Sequence, residues 1–208
     1  MATTTPNYGW TVPTSTDLVK DGATAIETLG DAIDASMNTA LGTKKAMGVL
    51  LSTVSFSGVA SVSLPAATFS STYRNYRIVL SADTTVATQM QIRLRVGGAD
   101  NTTSNYYSGA VNVAMVGGAV TGDPGGAAGN IMSRAGYSNS AGVLNMFYDI
   151  YNPFETKATG ISATQARNDA VLTIVGGYFQ ATTSFDSLTF IPASGNITGE
   201  VSVYGYNK

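Results

Sequence analysis

The sequence contains no histidine and no cysteine among its 208 residues. Their absence excludes Ser-His-Asp and Cys-His catalytic groups, zinc sites of the usual His or Cys kind, and disulfides. Folding is therefore expected to be compatible with a reducing cytoplasm. Paired carboxylates remain as possible catalytic groups, as in glycosidases, but the acids of the C-terminal region fall near turns or at solvated strand positions. We expect no enzymatic activity, no cofactor and no bound metal ion.

Charge is also scarce, because only 12% of the residues are charged and the formal net charge is -2. Nucleic-acid binding needs clustered Lys and Arg, and the arginines of this chain are scattered, so we expect no nucleic-acid partner. The longest apolar runs, such as Val49–Leu51, are too short to span a bilayer. The first residues lack the basic start and apolar stretch of a signal peptide. We expect no membrane insertion.

The N-terminal region, residues 1–46, begins with an aromatic segment. Prolines near both of its ends disfavour helix and sheet, so the segment is expected to be extended and exposed unless a partner binds it. The segment Thr4–Pro13 is the predicted attachment peptide, with Tyr8, Trp10 and Pro13 as virion-anchor candidates, because large aromatic residues often dominate interfaces. The alternative is that Trp10 folds back onto the following helix as a cap.

A helix is predicted to follow, with capping hydroxyls at 14–16 and an end near Leu41, where Gly42 suits a C-terminal cap. Its seam residues recur at steps of three and four, as in a coiled coil. The predicted trimer-interface residues are Val19, Ile26, Leu29 and Ile33, with small residues at Gly22, Ser36 and Ala40. Because so short a helix is marginal alone, we expect neighbouring copies to hold it in a homotrimer. The alternative is an amphipathic helix that covers its own β domain.

From residue 47 to residue 208 the pattern changes to period two, which predicts half-buried strands. The candidate strands are Val49–Phe56, Ala60–Leu64, Tyr76–Ala82, Gln89–Val96, Tyr107–Val116, Val143–Tyr151, Ala170–Phe179, Phe185–Ile191 and Glu200–Tyr204. Short strands without intervening helices favour an antiparallel, jelly-roll-like β-sandwich. The predicted fold is mainly β, with an N-terminal extended segment and helix (1–46) followed by a sandwich domain (47–208).

Two loop regions interrupt the strands. The Gly-rich segment Gly117–Gly129 is predicted to be a loop, and it lacks the Gly-Lys-Ser/Thr ending of a phosphate-binding loop. The segment Gly98–Asn105 offers oxygen ligands for calcium, but without the acid-dense pattern of an EF-hand a plain Asn/Asp turn is favoured.

Tyrosines beside polar loops are candidates for recognition. The candidate receptor-binding residues are Asn105, Tyr106, Tyr107 and Tyr137. Tyrosine with Asn, Ser and Gly is typical of adaptable binding surfaces, and core packing is the alternative for each ring. We expect recognition on the loops Ala99–Tyr107 and Gly117–Tyr137, because loops on a β scaffold vary without disturbing the core. Neutral polar loops suit a glycan better than a charged partner.

Several sequence blocks resemble bacteriophage virion fibre and tail-fibre-like structural proteins. The blocks are Thr5–Trp10, Asp17–Gly22, Leu29–Asp34, Asn75–Leu80, Gln91–Gly98 and Ser194–Gly205. The resemblance implies a trimer, made in the host cytoplasm and localised to the virion, whose N-terminal segment docks on another virion protein of the baseplate, tail or capsid. It implies an outward-facing sandwich and no catalytic residues.

The first functional expectation is therefore a trimeric tail fibre or adhesin that binds the host surface through a glycan. A capsid decoration protein, head fibre or other minor structural virion protein is the alternative. A glycan-degrading tailspike is the second alternative, and the long β-helix repeats typical of tailspikes are not visible.

Overall fold

The structure, a computed structural model, describes residues 3–12, 14, 21–43, 48–126 and 128–206. The chain divides into two compact units, Met1–Ala46 and Met47–Lys208. The division falls where the sequence changes from helical to alternating patterning. In the described part of the chain, no helix is long and apolar enough to cross a membrane.

The first unit contains a small hairpin of β1 (Thr3–Thr4) and β2 (Thr11–Val12), and helix α1 (Gly22–Thr43). The N-terminal segment was predicted to be extended and exposed. Most of its described residues are exposed, but the segment folds back on itself as a hairpin. Thr5 N donates to Trp10 O at 2.9 Å, and Gly9 takes a left-handed φ of 65° that closes the turn. Residues 15 and 16 of the predicted helix start lie outside the described residues, as do Pro13 and Val19.

The second unit consists of antiparallel strands. In chain order they are β3 (Val49–Val59), β4 (Val62–Ser63), β5 (Asn75–Thr84), β6 (Thr88–Val96), β7 (Ala99–Asp100), β8 (Tyr106–Ala114), β9 (Val120–Pro124), β10 (Tyr137–Ser138), β11 (Gly142–Tyr151), β12 (Thr159–Ala166), β13 (Val171–Phe179), β14 (Ser187–Pro192) and β15 (Ile197–Tyr206). One sheet has the order β3-β15-β5-β11-β12-β13-β8-β9. The other has the order β10-β6-β14-β4, with β7 paired to β6. The mainly β, antiparallel prediction is confirmed, whereas this strand order does not confirm a jelly roll.

A single hydrophobic core lies between the two sheets. Alternate residues of most strands point inward, and Tyr148 of β11 meets Phe190 of β14 with ring centroids 5.1 Å apart. A second aromatic group joins Tyr106, Phe179 and Phe185 edge to face. Each such fully buried side chain contributes about 1.5–3 kcal/mol of transfer free energy. The core therefore fixes which face of each strand is left for function.

Two parts of the sandwich differ from the predicted layout. Strand β9 lies inside the segment Gly117–Gly129, which was predicted to be entirely a loop. Its residues pair with β8 from Val113↔Val120 to Gly109↔Pro124. Strand β12 was not among the predicted strands, although it pairs with both β11 and β13. The sheet consequently extends farther than the sequence pattern indicates.

Candidate functional site: a polar cleft at Tyr137

Tyr106 belongs to the core, which makes its prediction as a surface contact wrong. Its side chain is 2% exposed, because β8 turns this position inward. The phenol Oη donates to Asn101 O at 3.0 Å and accepts a hydrogen bond from Leu94 N at 3.0 Å. Burial raises the pKa of Tyr106 to about 12. Tyr106 therefore ties a loop to strand β6.

Tyr107 points to the opposite face of β8 and lies apart from the core. Its ring stacks on Tyr178 of β13, with centroids 4.8 Å apart and an angle of 3° between the planes. Asn105 is half-buried, and its carbonyl accepts a hydrogen bond from Gln180 N at 3.0 Å. The structure thus sends Tyr106 and Tyr107 to different sides of one sheet.

The Asn/Asp-rich segment before β8 is a hydrogen-bonded turn. Asn101 Oδ1 accepts from Thr103 N at 3.0 Å, which is an Asx turn. Asp100 accepts from Thr189 Oγ1 at 2.6 Å and pairs with Arg95 Nε at 3.1 Å. Two of the side-chain oxygens considered for calcium, on Asp100 and Asn101, are thus engaged by the protein itself.

Tyr137 lies in a cleft with a volume of about 100 Å³, which we call the polar cleft. The polar cleft is lined by Gln89, Asn112, Asp123, Arg134, Tyr137, Arg167 and Thr173, with small or apolar residues Ala110, Gly136 and Val175. Tyr137 N donates to Gln165 Oε1 at 3.0 Å, and Gln165 Nε2 donates back to Tyr137 O at 2.7 Å. Because these bonds involve the backbone of Tyr137, they do not depend on the Tyr137 side chain.

Arg134, Asp123 and Gln89 form a closed triangle on one wall of the polar cleft. Arg134 Nε donates to Asp123 Oδ1 at 2.7 Å, and Arg134 Nη1 donates to Gln89 Oε1 at 2.5 Å. Gln89 Nε2 donates to Asp123 Oδ2 at 3.3 Å, which completes the triangle. A ligand would therefore meet donors and acceptors whose positions are already set.

Arg167 forms another part of the polar cleft. Its guanidinium carbon lies 4.3 Å from the centroid of the Tyr137 ring, and its Nη2 pairs with Asp169. Arg167 Nε is buried and has no hydrogen-bond partner among the described residues. A buried donor left unpaired costs about 1–3 kcal/mol. Each of the two arginines is paired with one carboxylate, so the charges of the cleft balance.

Each acid near the polar cleft is paired with an arginine. Asp123 is held by Arg134, and Asp169 by Arg167, so neither is an unpaired carboxylate. Within the described ranges, no group of three or more His, Cys, Asp or Glu residues could hold a metal ion. The arrangement offers recognition of a polar molecule. Sequence reasoning missed both arginines, because they appeared scattered along the chain.

The predicted anchor residues form part of the hairpin. The Tyr8 and Trp10 rings stack with centroids 5.1 Å apart, and Tyr8 is 71% exposed. Trp10 Nε1 donates to Ser36 Oγ of α1 at 3.0 Å. Trp10 therefore folds back onto the helix, the alternative raised by the sequence, while Tyr8 remains open to a partner.

The predicted seam residues of α1 differ in exposure. Ile26 is 66% exposed, whereas Leu29 and Ile33 are half-buried. Met37, which the seam prediction did not include, is 54% exposed. Ser36, which binds Trp10, lies on the seam with Leu29. The helix thus keeps exposed apolar residues beside the stripe that the hairpin covers.

Comparisons with known proteins identify no family. Neither the family models nor the curated proteins give a match. Among solved structures, the β-fructofuranosidase from Schwanniomyces occidentalis, complexed with fructosyl-erythritol, aligns with a TM-score of 0.29 and 6% identity. The alignment covers 79% of this chain but only 35% of that protein. A likeness of this size supports no statement about fold or activity.

Proposed function

We propose that this chain is a structural protein of a bacteriophage particle, a trimeric fibre or adhesin that binds a host-surface glycan. The observation that carries the binding role is the polar cleft. Pre-formed pockets with a few fixed polar groups beside an aromatic ring are typical of small-ligand sites. The phage assignment rests on the sequence blocks that resemble virion fibre proteins.

The chemistry of the polar cleft favours a neutral, hydroxyl-rich ligand. Arg134 and Arg167 can donate to hydroxyl oxygens, and the Asn112 side chain and Asp123 can accept from hydroxyl groups. An anion would meet two guanidinium groups whose charges are already balanced by Asp123 and Asp169. A sugar ring can also contact the apolar face of Tyr137. A glycan uses each of these features.

Self-association through α1 would strengthen weak individual sites. Several cleft sites held in one particle bind a repeating surface with an affinity raised by effective concentration. A capsid decoration or head-fibre protein is the second candidate, and the scarcity of charge in the chain favours it. Because the carboxylates of the cleft are paired with arginines, a glycan-degrading tailspike is the less favoured reading, and we propose no enzymatic activity.

The test is binding of the full-length protein to an array of host-surface polysaccharide fragments, followed by adsorption to host cells. Tyr137→Ala should lower binding at least tenfold, because it removes the ring and retains the backbone bonds to Gln165. Tyr204→Ala is the matched control, since Tyr204 lies on β15 and does not line the cleft. Failure of the unmodified protein to bind any glycan or cell would contradict the adhesin and favour the decoration protein.

A further inference from the structure

One broad surface of the sandwich carries no charged residue. It consists of the outward-pointing alternate residues from Gly160 to Ala166 in β12, Leu172 to Tyr178 in β13, Tyr107 to Val113 in β8 and Val120 to Pro124 in β9. We call this surface the uncharged face. Four adjacent strands without an outward Lys, Arg, Asp or Glu form a face unlike ordinary protein surface, where such residues abound.

The uncharged face has ridges separated by a groove. Tyr107 lies opposite Tyr178 in one ridge, and Val111 lies opposite Ile174 in the next. Between them Gly109 lies opposite Gly176, so no side chain fills the space. Two adjoining hollows, of about 510 and 460 Å³, meet at Gly176. The glycine pair is therefore the floor of a groove between an aromatic and an aliphatic ridge.

The ridges expose large apolar side chains to solvent in the single chain. Val111 is 43% exposed, Ile174 49%, Tyr178 44% and Val120 66%. Isolated exposed apolar residues are normal, but contiguous apolar patches mark interaction sites. The hollow at the aliphatic ridge is lined mainly by small or apolar residues such as Gly109 and Ile174, and also by Asp123, whose carboxylate pairs with Arg134 in the polar cleft. This lining suits an apolar protein surface better than a sugar, which needs hydrogen-bond partners.

The dimensions of the face match part of a subunit interface. The four strands of the uncharged face span three inter-strand spacings of about 4.8 Å, or about 14 Å across, and the ridges from Tyr178 to Leu172 span about 20 Å along the strands. The flat footprint is about 280 Å², roughly a third of the 800 Å² that each partner of a standard interface buries. The side chains that project from the sheet make the accessible area of the face larger than this flat footprint. The face is thus large enough to reinforce an assembly held by a second contact.

We propose that the uncharged face lines the three-fold axis of the trimer, so that one part of this face packs against a different part of the same face in the neighbouring copy. A partner bearing charge would find no opposite charge to recognise here, whereas a copy brings the same ridges and groove. The aliphatic ridge of one copy can then lie in the groove over Gly109 and Gly176 of the next. The proposal deepens the self-association in the proposed function, and it is independent of glycan binding at the polar cleft.

The cysteine-free sequence allows a direct test with single thiols. Val111→Cys reports on the uncharged face, and Val86→Cys is a matched control, because both valines are 43% exposed in the single chain. In the assembled full-length protein, maleimide should label position 111 at least tenfold more slowly than position 86. Equal labelling rates at the two positions would overturn the proposal.

Two further variants keep the test independent of the thiols. Val111→Asp should weaken association at least tenfold in sedimentation experiments, because it buries a charge without a partner, whereas Val86→Asp should not. Gly176→Leu should fill the groove and weaken association without affecting the fold, since nothing lies within 4 Å of a Cβ at Gly176. Each folded variant should retain glycan binding per chain, which separates this proposal from the one on the cleft. If Val111→Asp and Gly176→Leu both sedimented with the same molecular mass as the unmodified assembly, the proposal for the uncharged face would be overturned.

Discussion

Trp10 and Ser36 join the N-terminal hairpin to helix α1, because the indole Nε1 donates to the serine Oγ across 3.0 Å. Ser36 was predicted to be a small residue in the coiled-coil seam. Its hydroxyl is occupied within the chain, so one edge of the seam is covered by the hairpin. A neighbouring helix would consequently approach the side where Ile26 and Met37 are exposed.

Removal of the serine hydroxyl should loosen Trp10. Ser36→Ala deletes a hydrogen bond with a net value of about 1 kcal/mol, so the indole should become more exposed to water. Because Trp10 is the only tryptophan, the emission reports on the surroundings of this one side chain. We expect a red-shifted emission maximum and faster acrylamide quenching than in Asn38→Ala, a control at an exposed helix position. An unchanged spectrum would contradict the contact.

Tyr8 should dominate attachment to the particle. Its ring is 71% exposed and is held rigidly by stacking on Trp10, two features that suit an interface anchor. Tyr8→Ala should reduce the number of copies per particle, because truncation of such an anchor often costs about 2 kcal/mol or more. Quantitative electrophoresis of purified particles measures the copy number. A normal copy number for this variant would rule out Tyr8 as the anchor.

A charge in the exposed stripe of α1 should prevent trimer formation. Ile26→Asp places a carboxylate where neighbouring helices are expected to meet, and burial of an unpaired charge is costly. Analytical ultracentrifugation should show a trimer for the unmodified chain and smaller species for the variant. Asn38→Asp, with the same added charge at another exposed helix position, should remain a trimer. A stable monomer for the unmodified chain would contradict the seam itself.

The sandwich could be predicted because apolar residues alternate clearly in most of its strands. Leu80, Ile92 and Val201 are all fully buried at the positions where alternation places them. Strand β12 was missed because its inward residues include Thr159 and Gln165, which are buried but polar. An alternation of small and polar residues gives a weak hydrophobic signal.

The sites were less predictable, because their geometry depends on register. Tyr106 and Tyr107 have the same local composition, yet strand parity buries the first in the core and leaves the second half-buried on the opposite face. The polar cleft unites Gln89, Arg134 and Arg167 from distant parts of the chain. These residues come together only through strand pairing, so no local sequence motif predicts the site.

Stability should fall at alkaline pH. Burial raises the pKa of Tyr106 to about 12 in the folded protein, above its ordinary value of 10.0, and also raises the pKa of Tyr148. Below about pH 10 the phenol of Tyr106 keeps its proton in both the folded and the unfolded state, so its contribution to the free energy of unfolding is fully present. As the pH rises toward 12 the unfolded state loses its proton first, so the free energy of unfolding decreases, by up to about 3 kcal/mol for Tyr106.

Urea denaturation at a series of pH values measures this effect. Tyr106→Phe should be less stable at pH 7 by about 1–3 kcal/mol, because Leu94 N and Asn101 O lose their partner. Between pH 10 and pH 12 the free energy of unfolding of the variant should nevertheless fall less steeply than that of the unmodified protein, since the variant lacks one ionising group. If the free energies of unfolding of the two proteins fell in parallel, Tyr106 would not contribute to the loss of stability at alkaline pH.

Gly199 is the strand position where one added methyl group should do most harm. A Cβ there would lie 2.1 Å from Ser81 O and 2.7 Å from Ala82 Cα, which are backbone atoms of the paired strand β5. Strand β15 is paired with β3 on one side and with β5 on the other, so its backbone has little room to move. Gly199→Ala should therefore lower the free energy of unfolding by about 1–3 kcal/mol or more. In Gly48→Ala the nearest atom is Tyr204 Cβ at 3.6 Å, an ordinary contact, so urea denaturation should show a much smaller change. Equal midpoints for the two variants would contradict the close approach of β15 to β5.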